Sequence, residues 1–380
     1  MQTRQYQFQL FSSLTLKRNG LSAKKQVYTM RYFSASSVDT MRKLLKARKN
    51  DSDLLQPSLL ETEPQPKRDS LVLGLVCYDP SVPSIWKGMM RHFTRCGLDV
   101  DYVTFTSYER LVESFLKGHV DIAWNGPLAH ARCIRLTNGK VLALGMRDVD
   151  RDFKTHIVVR DDAKIRSLSD INGRKVAAGT VDSPQAYIMP FWFLQNGCNG
   201  KVDLKSLSVT RYDRDLGKHG DTALGEDSVL TALTSGSAQV GFISDLMWKR
   251  YVAANKTKGL RVLESAQVPT FDHCQFTGLA SNLRKLKLFS EAILMMKSEG
   301  DLAHPENART MQLEGIRKDW MSAKSGKIDK PEDGYHDMLA ALSAWGEQKV
   351  LWPGVLHTPA RHPFKELVVD YRLVRDNNGC

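Results

Sequence analysis

The sequence predicts an α/β fold of two lobes, and three observations carry that prediction. From residue 70 onward, short apolar runs alternate with amphipathic helical stretches, the pattern of βαβ units. The runs are almost unbroken by polar residues, as expected of strands covered on both faces. The chain has 380 residues, beyond the size at which one core usually divides.

The elements follow in order. Leu71–Val76 is a continuous apolar run and reads as a first strand. After Tyr78-Asp79-Pro80, Ile85, Met89 and Phe93 recur at helical spacing. Val100–Phe105 is a second strand, and Ser107 caps a helix whose Leu111, Val112, Phe115 and Leu116 share one face. Val120–Trp124 is a third strand, ending at Asn125-Gly126-Pro127 before another helix. Thr155–Arg160 opens a second set: strands at Lys175–Ala178, Ser206–Val209 and Gln239–Ile243, with helices from Pro184 and from about Asp227 to Thr234. Leu260–Leu263 is read as the segment that carries the chain back, Cys274–Ala280 is again strand-like, and 283–345 is mostly amphipathic helix. Trp192, Trp248, Trp320 and Trp345 sit in helical patterns and are assigned to the core. This divides the chain into lobe 1, residues 70–158 plus about 264–380, and lobe 2, residues 159–263. Paired crossings between them would form a hinge.

The net charge of +12 is localised. Residues 1–50 hold eleven Lys or Arg against one acid, Asp39, which leaves the rest of the chain at +2. A basic face for DNA or RNA is therefore not required, and no base-reading motif occurs. The leader is rich in Arg, Lys, Ser and Thr, the composition of an organellar transit peptide, and Arg31-Tyr32-Phe33-Ser34-Ala35-Ser36-Ser37 resembles a mitochondrial processing site. The mitochondrial matrix is the expected location; another organelle, secretion, or a basic tail without targeting function are the alternatives. Residues 51–69, with Pro57, Pro64 and Pro66, read as a linker. No run of about 18 apolar residues marks a transmembrane helix. The six cysteines show no CxxC pairing, so neither a zinc finger nor a disulfide framework is indicated.

The candidate site begins at Ala177-Ala178-Gly179-Thr180-Val181-Asp182-Ser183-Pro184-Gln185-Ala186-Tyr187. A strand breaks here into glycine, hydroxyls and proline as a helix starts. Ser183 suits the N-cap and Pro184 the first helical position. This is either an ordinary capped turn or a seat for negative charge, because helix-start amides and the macrodipole attract anions and Thr180 and Ser183 add hydroxyl donors.

Two longer stretches resemble a known family. Val120-Asp121-Ile122-Ala123-Trp124-Asn125-Gly126-Pro127 resembles a run of the phosphonate-binding proteins of bacterial ABC transporters. Ile157-Val158-Val159-Arg160-Asp161, followed by Ile165–Arg174, resembles a second. The resemblance implies a type 2 periplasmic-binding-protein fold with hinge crossings and a helical C-terminal region. It implies a receptor and not a catalyst, closing on a phosphonate, phosphate or phosphite and working with a membrane permease. Residue by residue, it places the oxyanion at Thr180, Ser183 and Gln185, where the family's "STSG" is replaced by Asp182-Ser183-Pro184-Gln185. Tyr78 matches the family's aromatic after the first strand, and Asn125 lies in the Gly-Pro motif. His130 stands where many relatives have tyrosine, His219 falls near a family histidine, and His273 belongs to an Asp272-His273-Cys274 run seen in one branch. The expected ligand set is therefore Tyr78, Asn125, His130, Thr180, Ser183, Gln185, His219 and His273.

Other chemistries find less support. Each histidine has a second reading as a hydrogen-bonded structural residue. A metal site would draw on His130, His219, Asp221, His273 and Cys274, but no HxxxH or CxxC spacing supports it, so no metal or cofactor is expected. Cys274 beside His273 suggests a nucleophile and base, yet adjacent strand residues point to opposite faces. Glu226 and Asp227 read as helix-start acids, with Asp227 or Ser228 near the cap. Two rival functions remain: an enzyme on the same scaffold, as in eukaryotic relatives that make a thiamine pyrimidine precursor through a cysteine-rich signature absent here, or a structural subunit of an organellar complex.

Overall fold

The structure, a computed structural model, describes residues 70–322 and 334–347. The leader, the linker and the processing-site motif lie outside the described residues, as does the side chain of Trp345. Two mixed sheets organise the chain. The first contains β1 (Leu71–Val76), β2 (Val100–Phe105), β3 (Ile122–Asn125) and β4 (Val141–Arg147). The second contains β5 (Thr155–Arg160), β6 (Lys175–Ala178), β7 (Ser208–Arg211), β8 (Val240–Ser244) and β9 (Leu260–Val262). The chain then returns to the first sheet as β10 (Gln275–Leu279) and β11 (Trp320–Met321), giving orders β11-β4-β10-β3-β1-β2 and β7-β6-β8-β5-β9. β1 is parallel to β2 and β3, and β6 to β7 and β8, so each sheet is built on βαβ units.

Helices α1 (Val82–Arg95), α2 (Tyr108–Leu116) and α3 (Pro127–Leu136) connect the first strands. Ser107 caps α2, accepting from the Arg110 amide. The helical stretch after β6 is irregular: a π-turn at Pro184–Ile188, one α-turn, α4 (Met189–Trp192), and a second π-turn at Phe193–Gly197. Helices α5 (Leu224–Thr234) and α6 (Asp245–Ala253) flank β8. Helices α7 (Leu283–Leu294), α8 (Pro305–Leu313) and α9 (His336–Glu347) complete the described fold. Ile85, Met89 and Phe93 of α1 pack with Phe276 and Phe289 on one face of the first sheet, while Leu111, Val112 and Phe115 cover the other. Ile157, Val176, Phe191 and Phe242 form the second sheet's core, to which α9 adds Met338, Ala341 and Leu342.

Several elements differ from the sequence reading. Val141–Arg147, absent from the element list above, is a fully paired strand between β10 and β11. Leu260–Val262 does not return the chain; it pairs antiparallel with β5 in the second sheet. β5 lies whole in that sheet, so the boundary drawn at residue 158 would cut a strand. Trp320 is in a strand, not a helix, though it is buried as expected. α5 starts at Leu224, ahead of the caps proposed for Asp227 or Ser228.

Two crossings join the sheets, 148–154 and 263–274. They are hydrogen-bonded to each other: Phe153 N donates to Phe271 O at 2.7 Å, Phe271 N to Phe153 O at 3.1 Å, and His273 N to Asp150 O at 2.7 Å. Among the described residues, no helix is long and apolar enough to cross a membrane.

Candidate ligand-binding cleft

Strand exits position the site. β1 delivers Tyr78, β3 delivers Trp124 and Asn125, β4 delivers Arg147, and β6 delivers Gly179 and Thr180. Gly179 is required by packing, since a Cβ there would lie 2.5 Å from the Ala186 Cβ. Ser183 is the cap that the sequence predicts: its Oγ accepts from the Ala186 amide at 3.1 Å, with Pro184 at the first helical position. Tyr187 N and Ile188 N both donate to Ser183 O, which opens the helix as a π-turn. Ser183→Ala should cost about 1 kcal/mol of stability, measured by urea denaturation; an unchanged midpoint would count against the cap.

The space in front of this helix start is taken by the chain itself. The segment from Asp213 to Ala223, between β7 and α5, folds over it. Asp213 Oδ1 accepts from Val181 N at 2.9 Å, Asp182 Oδ2 accepts from Gly217 N at 2.7 Å, and Gln185 Nε2 donates to Gly220 O at 2.7 Å. The same segment reaches the first sheet's helices. Gly217 O accepts the Tyr108 amide at 2.9 Å, the His219 ring stacks on Tyr108 with centroids 4.5 Å apart, and the Tyr108 hydroxyl donates to Asp221. His219 Nε2 lies 3.2 Å from Glu109 Oε1, which Arg132 also holds at 2.9 Å. Burial acts against ionisation of Glu109, but His219 and Arg132 prevail and hold it down at about 2.

The expected ligand set therefore divides. Thr180 and Ser183 are fully buried behind this segment, the first with its hydroxyl unpaired and the second spent as a cap. Asp182, raised to about 6 by burial despite its nearness to His219, does not point at an open anion seat. Asn125 donates to Thr277 Oγ1 at 3.0 Å, and His130 Nδ1 lies 2.9 Å from the same oxygen. Both are buried in the lobe's interior, and His219 is stacked on Tyr108. Tyr78, Gln185 and His273 do meet, in a cleft of about 240 Å³ between the sheets.

That cleft also contains Arg147, Asp150, Glu314 and Arg250, which sequence reasoning did not nominate, together with Asp221, which it weighed only as a metal ligand, and Glu226, which it read as a helix-start acid. Arg147 was findable: it stands at a strand's carboxyl end, where ligands gather in such sheets, once β4 is recognised. It holds Asp150 through Nη2–Oδ1 at 2.8 Å and approaches Glu314 Oε1 at 3.5 Å. Burial pushes Glu314 up to about 7 against the pull of Arg147. Glu226 is pushed up by burial to about 7 although Ser244 donates to it from backbone (2.6 Å) and hydroxyl (2.9 Å). Burial likewise keeps Tyr78 protonated well above the usual phenol range. Near neutral pH the wall thus offers one phenol, two guanidinium groups and carboxyls that can themselves donate. His273 Nδ1 sits 3.1 Å from Cys274 Sγ, contrary to the opposite-face expectation, because both residues precede β10 and are not extended strand. The thiol is raised well above its ordinary range by burial and by Asp221 and Asp150, so it is no activated nucleophile.

Comparisons with known proteins agree on one family. The family model "ABC transporter, phosphonate, periplasmic substrate-binding protein" matches residues 79–315. Among curated proteins, the chain is 24% identical over 164 residues to a probable ABC transporter phosphite-binding protein, PhnD1, of Prochlorococcus marinus, covering 42% of this chain and 51% of that one. It is 25% identical over 177 residues to the phosphate-import protein PhnD of Mycolicibacterium smegmatis, covering 45% and 50%. The chain thus spans about half the length of the curated relatives it matches. In fold, it is similar to Prochlorococcus marinus PhnD1 solved with methylphosphonate (TM-score 0.52, 16% identity, 72% of this chain and 99% of that one). It is also similar to a Xanthomonas citri protein solved with ATP (TM-score 0.54, 15% identity, 73% and 98%).

Proposed function

We propose a receptor function from the premise that this chain belongs to the periplasmic phosphonate-binding family of ABC transporter substrate-binding proteins. The protein binds a small phosphonate-, phosphate- or phosphite-like oxyanion between its lobes and performs no chemistry on it. The observation that carries this reading is the extent of the family match, residues 79–315, which takes in the whole second sheet, β2, β3, β4 and β10 of the first, both crossings and every cleft residue but Tyr78. The anion would be held by Arg147, Arg250 and the Tyr78 hydroxyl, with the neutral form of Glu226 as a further donor. Since Glu226 gains its proton as pH falls through about 7, anion affinity should rise in the same direction. A membrane permease is the partner this function calls for. Mitochondrial import is proposed on the leader's composition, with N-terminal sequencing of the protein recovered from the organelle as its check.

A thermal-shift panel of phosphate, phosphite, methylphosphonate and sulfate tests the receptor reading. A ligand at 100 times its Kd should stabilise the fold by about 2.7 kcal/mol, and Arg250→Gln or Tyr78→Phe should shrink the shift. A folded protein indifferent to every anion between pH 5.5 and 8 would overturn the proposal.

A further inference from the structure

The two crossings bring together a set of donors that the receptor function does not use. Asp150 comes from the first crossing, His273 and Cys274 from the second, and Asp221 from the segment that folds over the cleft. One ligand atom from each of Asp150, His273 and Cys274 lies within 4.8 Å of the others. His273 Nδ1 stands 3.1 Å from Cys274 Sγ and 3.5 Å from Asp150 Oδ1, and Asp221 Oδ1 stands 4.0 Å from the same sulfur. A tetrahedral zinc site with bonds of 2.0–2.3 Å has donor–donor edges of roughly 3.3–3.8 Å, so His273 Nδ1 already stands near that spacing from Cys274 Sγ and from Asp150 Oδ1, while Asp221 would move toward the other three to complete the set. We propose that Asp150, His273, Cys274 and Asp221 form a binding site for Zn²⁺ at the junction of the two crossings.

Three features favour a borderline transition ion over a hard cation. The donors include sulfur and imidazole nitrogen, which Ca²⁺ and Mg²⁺ do not seek. The far ring nitrogen of His273 faces Gln185 Oε1 at 3.4 Å; protonated there, it donates to the amide oxygen and leaves Nδ1 with its lone pair toward the sulfur and Asp150. The carboxylates are also oriented: Arg147 grips both oxygens of Asp150, Nε on Oδ2 and Nη2 on Oδ1, and the Tyr108 hydroxyl binds Asp221 Oδ2, which leaves Asp221 Oδ1 toward the sulfur. Arg147 does not exclude the ion, because a carboxylate oxygen has a second lone pair. The backbone bond from His273 N to Asp150 O, at 2.7 Å, sets the two crossings in register before any ion arrives. Asp150, His273 and Cys274 are at most 5% exposed, which excludes most competing water. Binding deprotonates the thiol: the sulfur-bound proton leaves to solvent as the Zn–S bond forms, with no change of oxidation state. Spacing in sequence could not reveal this set, since His273 lies 123 positions after Asp150.

The proposal stands apart from the oxyanion reading and is tested without any anion. Untagged, chelator-treated full-length protein is titrated with Zn²⁺ by calorimetry and with Co²⁺ by absorption. One equivalent of Zn²⁺ should bind with proton release, and Co²⁺ should give a thiolate-to-metal charge-transfer band. Cys274→Ser should remove the band and weaken Zn²⁺ binding at least ~10-fold, His273→Gln should weaken it comparably, and Cys96→Ser should leave both intact. Absence of a thiolate band in the folded wild type, or a band that survives in Cys274→Ser, overturns the site. The wild-type spectrum decides the matter even should a variant fail to fold.

Discussion

Gly220→Ala is expected to destabilise the protein by about 2–5 kcal/mol, from two separable causes. Gly220 has φ of +70°, where an L side chain costs about 1–2 kcal/mol. Its added methyl would also overlap the Ser183 hydroxyl and come within 2.8 Å of the Ser183 Cβ, an overpacking worth about 1–3 kcal/mol. The damage should be directional. Displacing Gly220 strips Gln185 Nε2 of its acceptor and disturbs the Ser183 cap, so the segment over the cleft loosens before the sheets do. Urea denaturation with hydrogen exchange at the Gly217 and Tyr108 amides checks this, and a variant that melts and exchanges like wild type would refute the packing argument.

The second large effect concerns pH. Glu226 titrates at about 7 in the folded protein, against about 4.3 in an unfolded chain. The native state therefore binds more protons than the unfolded state between those values, and stability falls as pH rises through that window. The loss from this group alone is about 4 kcal/mol, complete once pH exceeds about 7. Asp182, at about 6, acts with the same sign over roughly pH 4–6. Glu109, held at about 2, acts oppositely but only below about pH 4.3. The wild type should thus melt higher at pH 5 than at pH 7.5. Glu226→Gln, which keeps an acceptor for Ser244, should flatten that profile and raise stability at pH 7.5. Parallel profiles for the two proteins would sink this assignment.

The fold was legible where burial dictates composition. β1 and β2 were readable to the residue, β1 as an unbroken apolar run and β2 as a stretch rich in β-branched and aromatic residues between the glycine turn at Gly97 and the cap at Ser107, and Ser107 and Ser183 announced their helices by cap chemistry. β4 is equally apolar, but Val141–Met146 directly follows a helix and a glycine turn without helical or alternating period, and was passed over. The site was less legible. Thr180 and Ser183 have the residue types of an anion seat, and local sequence does not say that a segment thirty residues later lies over them. Asn125 at the exit of β3 and His130 in the first turn of α3 both turn inward to Thr277. Tyr78, Gln185 and His273 line the cleft, whereas Arg147, Glu226 and Glu314 required knowledge of which strand ends and helices converge.

The segment between β7 and α5 is fastened on both sides: to the second sheet through Asp182 and Gln185, and to α2 and the exit of β1 through the Tyr108 amide and Lys218, which donates to Cys77 O. Spreading the two sheets must break one row of these bonds. On the proposed receptor function, solute entry would wait on the unlatching of this strap, and its rate should become independent of solute concentration when solute is abundant.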